Sequence, residues 1–372
     1  MSEHGPTEGP LTAEELQLAA RNHGMPLEAL RYDITPIGLH YLLVHFDIPP
    51  IDESAWRLEL AGDVERARSL TLAELRARAA HTMAVTMECA GNGRARLQPR
   101  PVSQPWLLEA VGTATWTGTP LRDVLLEAGL GPDTVEIVFT GADHGTQGKV
   151  EHDYERSLPL AVAMRPEVML AYEMNGRPLE PQHGAPLRLL VPGWYGMTSV
   201  KWLTRITAVT ERFAGYQQAV AYRYQRDEAD PGEGVSRMRV RALMTPPGHP
   251  DFLTRRRVLA MGVVTVRGRA WSGSGEVVRV QFGVDGRWHD ADLEPALGPF
   301  AWRGWATAWD ATPGAHVLSS AQPTRRATRS RSSSSGTTRA WATTWCRRCR
   351  SRSVLPEVPG RPLAGARVRP PG

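Results

Sequence analysis

No stretch of some 18 apolar residues occurs anywhere in this 372-residue chain, which excludes a membrane-crossing helix. The first residues, MSEHGPTEGPLTAEELQLAARNHGMP, have neither an apolar h-region nor a twin-arginine signal. A soluble, cytoplasmic protein without a membrane partner is therefore expected. Cysteine is scarce too, with three in the chain. Cys346 and Cys349 form one CxxC without a second pair, which is weak as a zinc or redox signal. Acid is missing from the C-terminal tail: none stands between Asp310 and Glu357, while twelve arginines follow Asp310. The formal charge of +5 thus leaves the first 310 residues at −6. The body is acidic, and the basicity lies in the tail, where residues 325–353 are a run of Arg, Ser and Thr with no strand or helix period. Such an arm reads as disordered, of the kind that binds nucleic acid.

What is present is organised around residues 85–94, VTMECAGNGR. The alternation of Met83, Val85 and Met87 predicts a short strand, and Ala90, Gly91 and Asn92 predict a tight turn after it. Cys89 then sits where the strand ends, with Arg94 and Arg96 close by to favour the thiolate that binds a soft metal. Spacing alone equally allows a buried free cysteine beside a surface loop.

The length allows two domains. Residues 1–30 form an N-terminal segment with a short helix around 13–21, capped by Thr12 with Glu15 three residues on. Residues 31–226 mix short strands (WRLELAG, VEIVFTG) with short helices (SLTLAELRARA capped by Ser69, PLRDVLLEAG with Pro120 at its first turn). The regular βα alternation of a doubly wound sheet is absent, so the fold class is α+β. DEADPGEG, residues 227–234, is a linker. From 238 to 320 apolar and polar residues alternate, and Asp285 with Gly286 signals a hairpin. That pattern predicts an immunoglobulin-like β-sandwich, incomplete at its end.

CAGNGR (89–94), WTGTPLRDVLLEAG (116–129) and MLAYEMNGRPLEPQHGAPLRLLVPGWYGMTSVKWL (169–203) resemble, in that order, segments of the sulfite oxidase family of molybdopterin enzymes. The resemblance implies a sulfite-oxidase-type molybdopterin domain followed by a C-terminal dimerisation domain, and hence a homodimer. It implies the molybdenum–molybdopterin cofactor, with Cys89 as the one protein ligand to the metal. His45, Asp143, His183, Arg188, Ser199 and Lys201 fall where the family contacts the pterin and its phosphate, and Arg94 would hold the substrate anion. Tyr222 falls at the active-site tyrosine, with Tyr224 its near competitor; Trp194 and Tyr195 would border the same cavity. Two departures stand out: Leu43 occupies an arginine position, and the third pocket arginine is absent.

The implied reaction is oxygen-atom transfer, sulfite to sulfate, on a small oxyanion or sulfur-oxo substrate. No CxxCH and no haem segment is present, so electrons would pass to a separate acceptor. Other readings stay open: sulfoxide or nitrate reduction on the same scaffold, nucleic-acid binding through the tail, and a cofactor-free scaffold dimer. The tail, 321–372, also reads as frameshifted. Back-translated and read one base earlier, residues 322–333 and 336–353 give strings that resemble the end of the family's C-terminal domain.

Overall fold

A computed structural model describes residues 11–97, 100–225, 230–321 and 351–353. The chain opens on the helix Ala13–Arg21, closed by a capping box in which Thr12 Oγ1 accepts the Glu15 N–H and the Glu15 carboxylate accepts the Thr12 N–H. Glu15 is fully buried, and Arg100 grips both of its oxygens at 2.9 and 3.0 Å. Just beyond the helix, Asn22 Oδ1 accepts the Val44 N–H at 2.7 Å and His23 bridges to Leu42. The N-terminal segment therefore holds residues 42–44 in place, and these form one wall of the site described below.

Two sheets follow, the first mixed and the second antiparallel. The first has the order Arg68–Leu70, Leu58–Gly62, Leu203–Val209, Glu136–Gln147, Val150–Pro159. Its one parallel pair joins Leu58–Gly62 to Leu203–Val209, strands more than a hundred residues apart. The second contains His81–Glu88, Val111–Pro120 and Met169–Met174, and the last of these also pairs with Arg177–Pro178 and Arg188–Leu190. The helices Leu72–Arg76 and Leu121–Ala128 bury Leu72, Leu75, Leu121, Val124 and Leu125 in the core formed with the first sheet. Each such side chain contributes on the order of 1.5–3 kcal/mol when fully buried. The cap of Leu72–Arg76 is Thr71 and not the expected Ser69. Thr71 has Glu74 three residues on to complete a capping box, whereas Ser69 belongs to a strand and donates to Glu59.

The C-terminal part is a seven-stranded antiparallel sheet, ordered Arg241–Met244, Gly262–Trp271, Arg303–Ala311, Arg287–Leu293, Val280–Val284, His316–Ala321, Ser351–Ser353. Asp285 and Gly286 adopt φ values of 50° and 86° between Val284 and Arg287, the two-residue hairpin that the sequence signals. Ser320 Oγ donates to Ala242 O at 3.1 Å, so the His316–Ala321 strand reaches the far side of the sheet. Ser351–Ser353 pairs with His316–Leu318, which corrects the expectation that nothing beyond Ala321 joins the sheet. The remaining tail residues, with Cys346, Cys349 and most of the arginine run, lie outside the described residues. Among the described residues no helix is long and apolar enough to cross a membrane.

Candidate active site

Strand His81–Glu88 ends one residue before Cys89, whose backbone is pinned at once: its N–H donates to Ala110 O at 2.9 Å and its carbonyl accepts the Asn92 N–H at 3.0 Å. Within that turn Gly91 lies under the Arg94 guanidinium, which a Cβ would meet at 2.5 Å. Only glycine leaves room for that approach. The thiol faces a cavity of about 670 Å³, its open mouth included, lined also by His40, Tyr41, Leu43, Met87, Tyr154, Gln182 and Met197. Burial pushes the Cys89 thiol up, with the Arg94 charge and the Gly91 N–H opposing. Nearby positive charge therefore does not win here, and a thiolate at Cys89 needs a cation within the cavity to hold it.

The same cavity carries the charged groups. Arg188 donates to His183 O (2.9 Å) and Ser199 O (3.0 Å), lies over Trp116, and keeps a buried Nε with no partner. Burial lowers it to about 10. Lys201 Nζ donates to Leu43 O (2.9 Å) and Gln182 O (3.0 Å), and burial followed by Arg188 lowers it to about 7. Asp143 has one buried oxygen without a partner and is raised by burial to about 7, with Lys201 opposing. Burial likewise holds His40 and His45 near 4 and His183 near 3, so all three are neutral. His40 Nε2 is a further buried atom without a partner.

His45 Nε2 faces Gln147 Oε1 at 2.9 Å and must donate to it, which leaves Nδ1 as the bare lone pair. Gln217 Nε2 donates to the same oxygen (2.8 Å) and to His152 Nε2 (2.9 Å). Tyr222 lies beside Tyr154, with Arg156 over its ring, and burial raises its hydroxyl to about 12.

Eight of the nine residues singled out from the sequence line this one cavity: His45, Cys89, Asp143, His183, Arg188, Ser199, Lys201 and Tyr222. Arg94 does not. Its guanidinium folds over Gly91 and donates to Ser103 Oγ at 2.7 Å, while its charge acts on Cys89, His45 and Tyr222 within the cavity. Trp194 and Tyr195 are corrected, since Gly196 and Met197 line the cavity while Tyr195 packs in a neighbouring core. Tyr224 is drawn off by Arg239, which stacks on its ring. Sequence reasoning missed His40, Tyr41, Tyr154 and Gln182. Tyr41 shows most clearly why it matters: a Cβ on Gly196 would meet its hydroxyl at 2.3 Å, so this glycine makes the room that lets Tyr41 stand in the cavity.

The charge on Lys201 gives a pH test. Its folded pKa of about 7 lies below the ordinary lysine value of 10.5, so the cost of the buried ammonium sets in as pH falls from 10.5 and is complete below about 7. In thermal scans of cofactor-free protein, Lys201→Met is expected to gain melting temperature relative to wild type at about pH 6. That gain should shrink near pH 9.5. A difference independent of pH would contradict a depressed Lys201.

One cavity holds a soft thiol, a set of NH donors and unpartnered Nε, Nε2 and Oδ1 atoms. This donor set suits a group that is both a metal chelate and a phosphate ester with a hydrogen-bonding ring. The fold and site define a molybdopterin-binding oxidoreductase domain, and the family profile described as "Oxidoreductase molybdopterin binding domain" matches residues 45–217. The chain is 36% identical to sulfite oxidase of Gallus gallus over 75% of its own length and 63% of that protein's. It is 34% identical to mitochondrial sulfite oxidase of Mus musculus, over 73% of this chain and 52% of that one. A nitrate reductase of Hordeum vulgare is 34% identical over 70% of this chain and 32% of its own length. The chain thus spans about half to two-thirds of the sulfite oxidases it matches. Among solved structures, the sulfane dehydrogenase SoxCD of Paracoccus pantotrophus superposes with a TM-score of 0.70 at 25% identity, covering 86% of this chain and 84% of that one. The chain belongs to the sulfite oxidase family of molybdopterin-dependent oxidoreductases.

Proposed function

We propose that this protein binds the molybdenum–molybdopterin cofactor and catalyses oxygen-atom transfer on a small sulfur-oxo substrate, sulfite to sulfate being the first candidate, with electrons passed to a separate acceptor. The observation that carries the reading is one cavity whose lining brings Cys89 together with Arg188, Lys201 and the unpartnered Asp143 oxygen. Cys89 would be the protein's ligand to the metal. Arg188 and Lys201 would take the cofactor's phosphate, while Asp143, His183, His45 and the Ser199 backbone would meet the pterin's polar edge. When bound, the cofactor supplies the two-electron chemistry, and the protein supplies position and electrostatics.

Tyr222, whose hydroxyl burial raises to about 12, is protonated at neutral pH as any tyrosine is, and it would donate a hydrogen bond to a substrate oxygen. Tyr222→Phe is expected to lower kcat by roughly 10²-fold with molybdenum content unchanged. Steady-state kinetics beside metal analysis check this, and an unaltered kcat would remove Tyr222 from the chemistry.

A second substrate reading has its own support. Leu43, which stands where the resemblance implies an arginine, packs against the cluster that contains Tyr41, Met87 and Cys89, so this position brings no cation to a small dianion. Sulfane sulfur, sulfoxide or nitrate would then be the substrate on the same scaffold, and a substrate screen with purified holoenzyme separates these from sulfite. The antiparallel C-terminal sheet is read as an immunoglobulin-like dimerisation domain, which sedimentation of the full chain tests.

A further inference from the structure

Next to Cys89 stands a carboxylate that the chemistry above leaves unused. Glu88 is fully buried, and all of its partners can be named. Oε1 accepts Asn92 Nδ2 at 3.0 Å and lies 3.0 Å from Arg241 Nη1, while Oε2 accepts Trp271 Nε1 at 2.9 Å. Arg241 and Trp271 come from the C-terminal sheet, where they sit directly opposite each other on neighbouring antiparallel strands. Both project from the same end of that sheet into the Cys89 turn. Arg241 also donates through Nη2 to the carbonyl of Asn92 at 2.8 Å.

Asn92 completes the arrangement. It is fully buried, its N–H closes the turn on Cys89 O, its Nδ2 also reaches Leu108 O (3.0 Å), and its Oδ1 accepts the Ala110 N–H at 3.1 Å. The residues on either side of the Cys89–Asn92 turn are thus tied to Arg241, and Glu88 is also tied to Trp271. Among the described residues, no cavity-lining side chain lies beyond Tyr222. The C-terminal sheet reaches the site through these bonds and not through the wall.

We propose that Glu88, Arg241 and Trp271 are positioning residues: the end of the C-terminal sheet fixes the Cys89 turn and so aims the thiol into a cavity to which that sheet contributes no lining. The physical reason is that an ionic partner and a rigid indole donor hold a buried carboxylate in one geometry, and displacing it leaves a buried charge without its partners. The Cys89 turn is therefore set by two parts of the molecule at once, the strand His81–Glu88 and the pair Arg241 with Trp271. It follows that a cofactor domain ended before residue 238 would hold the turn loosely.

The test uses the full chain with Arg241→Met and, separately, Trp271→Phe, which keeps an aromatic ring in the packed core and removes the N–H together with the five-membered ring that carries it. Hydrogen exchange read on the peptide that contains residues 89–94 is expected to quicken at least about tenfold in both variants, with exchange elsewhere and the thermal midpoint of Trp271→Phe close to wild type. In cofactor-loaded protein, the paramagnetic signal of the metal should shift in Trp271→Phe, since its thiol ligand is re-aimed. Should Arg241→Met not fold, Trp271→Phe decides. Unchanged exchange at 89–94 in folded Trp271→Phe would overturn the proposal, as would quickening spread evenly over the chain. The exchange measurement does not depend on the identity of the substrate or on turnover, so its failure is distinct from a failure of the proposed function.

Discussion

Replacing Cys89 by serine is expected to abolish turnover while leaving most of the pterin bound. The variant removes the one thiol among the lining residues and changes little else in volume, while Arg188, Lys201 and Asp143 keep their places in the lining. Sulfur is what suits a soft metal, and a serine hydroxyl stays protonated where a buried thiol can still yield its proton to a bound cation. The loss should therefore exceed the roughly 10–100-fold typical of removing a supporting contact around a metal ligand. Turnover measured beside pterin fluorescence after denaturation separates the two effects. Full turnover in Cys89→Ser would remove Cys89 from the metal, and loss of pterin together with activity would mean that the turn, and not the thiol alone, holds the cofactor.

The second large effect concerns retention. Arg188→Ala and Lys201→Ala each delete a cationic donor from the cavity that holds Cys89, and a charge-assisted contact of that kind is worth roughly 1.5–3 kcal/mol. Molybdenum and pterin content after purification should fall in both. The loss should be steeper for Arg188, because its guanidinium also ties the carbonyls of His183 and Ser199 and stacks on Trp116. Unchanged metal content in both variants would show that the phosphate lies elsewhere. A drop in Arg188→Ala alone, with a lowered melting temperature, would mark Arg188 as a framework residue and leave the phosphate role of Lys201 unsupported.

Much of the site was legible because it is written in local patterns. The strand that delivers Cys89 shows as the alternation of Met83, Val85 and Met87, and the hairpin at Asp285 and Gly286 is encoded in two residues whose φ values are positive. What escaped depends on the path of side chains in three dimensions. His40 lies in GLHYLL, where a lone histidine has no pattern to separate it from a satisfied core residue; only the unpartnered Nε2 marks it. The turn folds the Arg94 guanidinium back over Gly91, and no spacing rule reports that. The effect of charge on Cys89 was misjudged for a related reason. The arginine is near in sequence, whereas the burial that outweighs it comes from residues such as Tyr41 and Trp106, packed around it from other parts of the chain. Glu88 illustrates the same limit, since its partners Arg241 and Trp271 are more than 150 residues away.

The most direct measurement of the central claim is elemental analysis by mass spectrometry of the full chain, expressed in a host that makes the pterin cofactor, together with pterin determination on the same sample. The account predicts molybdenum and molybdopterin in equal amounts with each other and with the protein, with molybdenum sharply reduced in Cys89→Ser. Folded protein that carries neither molybdenum nor pterin, or that carries another metal in a pterin-independent way, would contradict it.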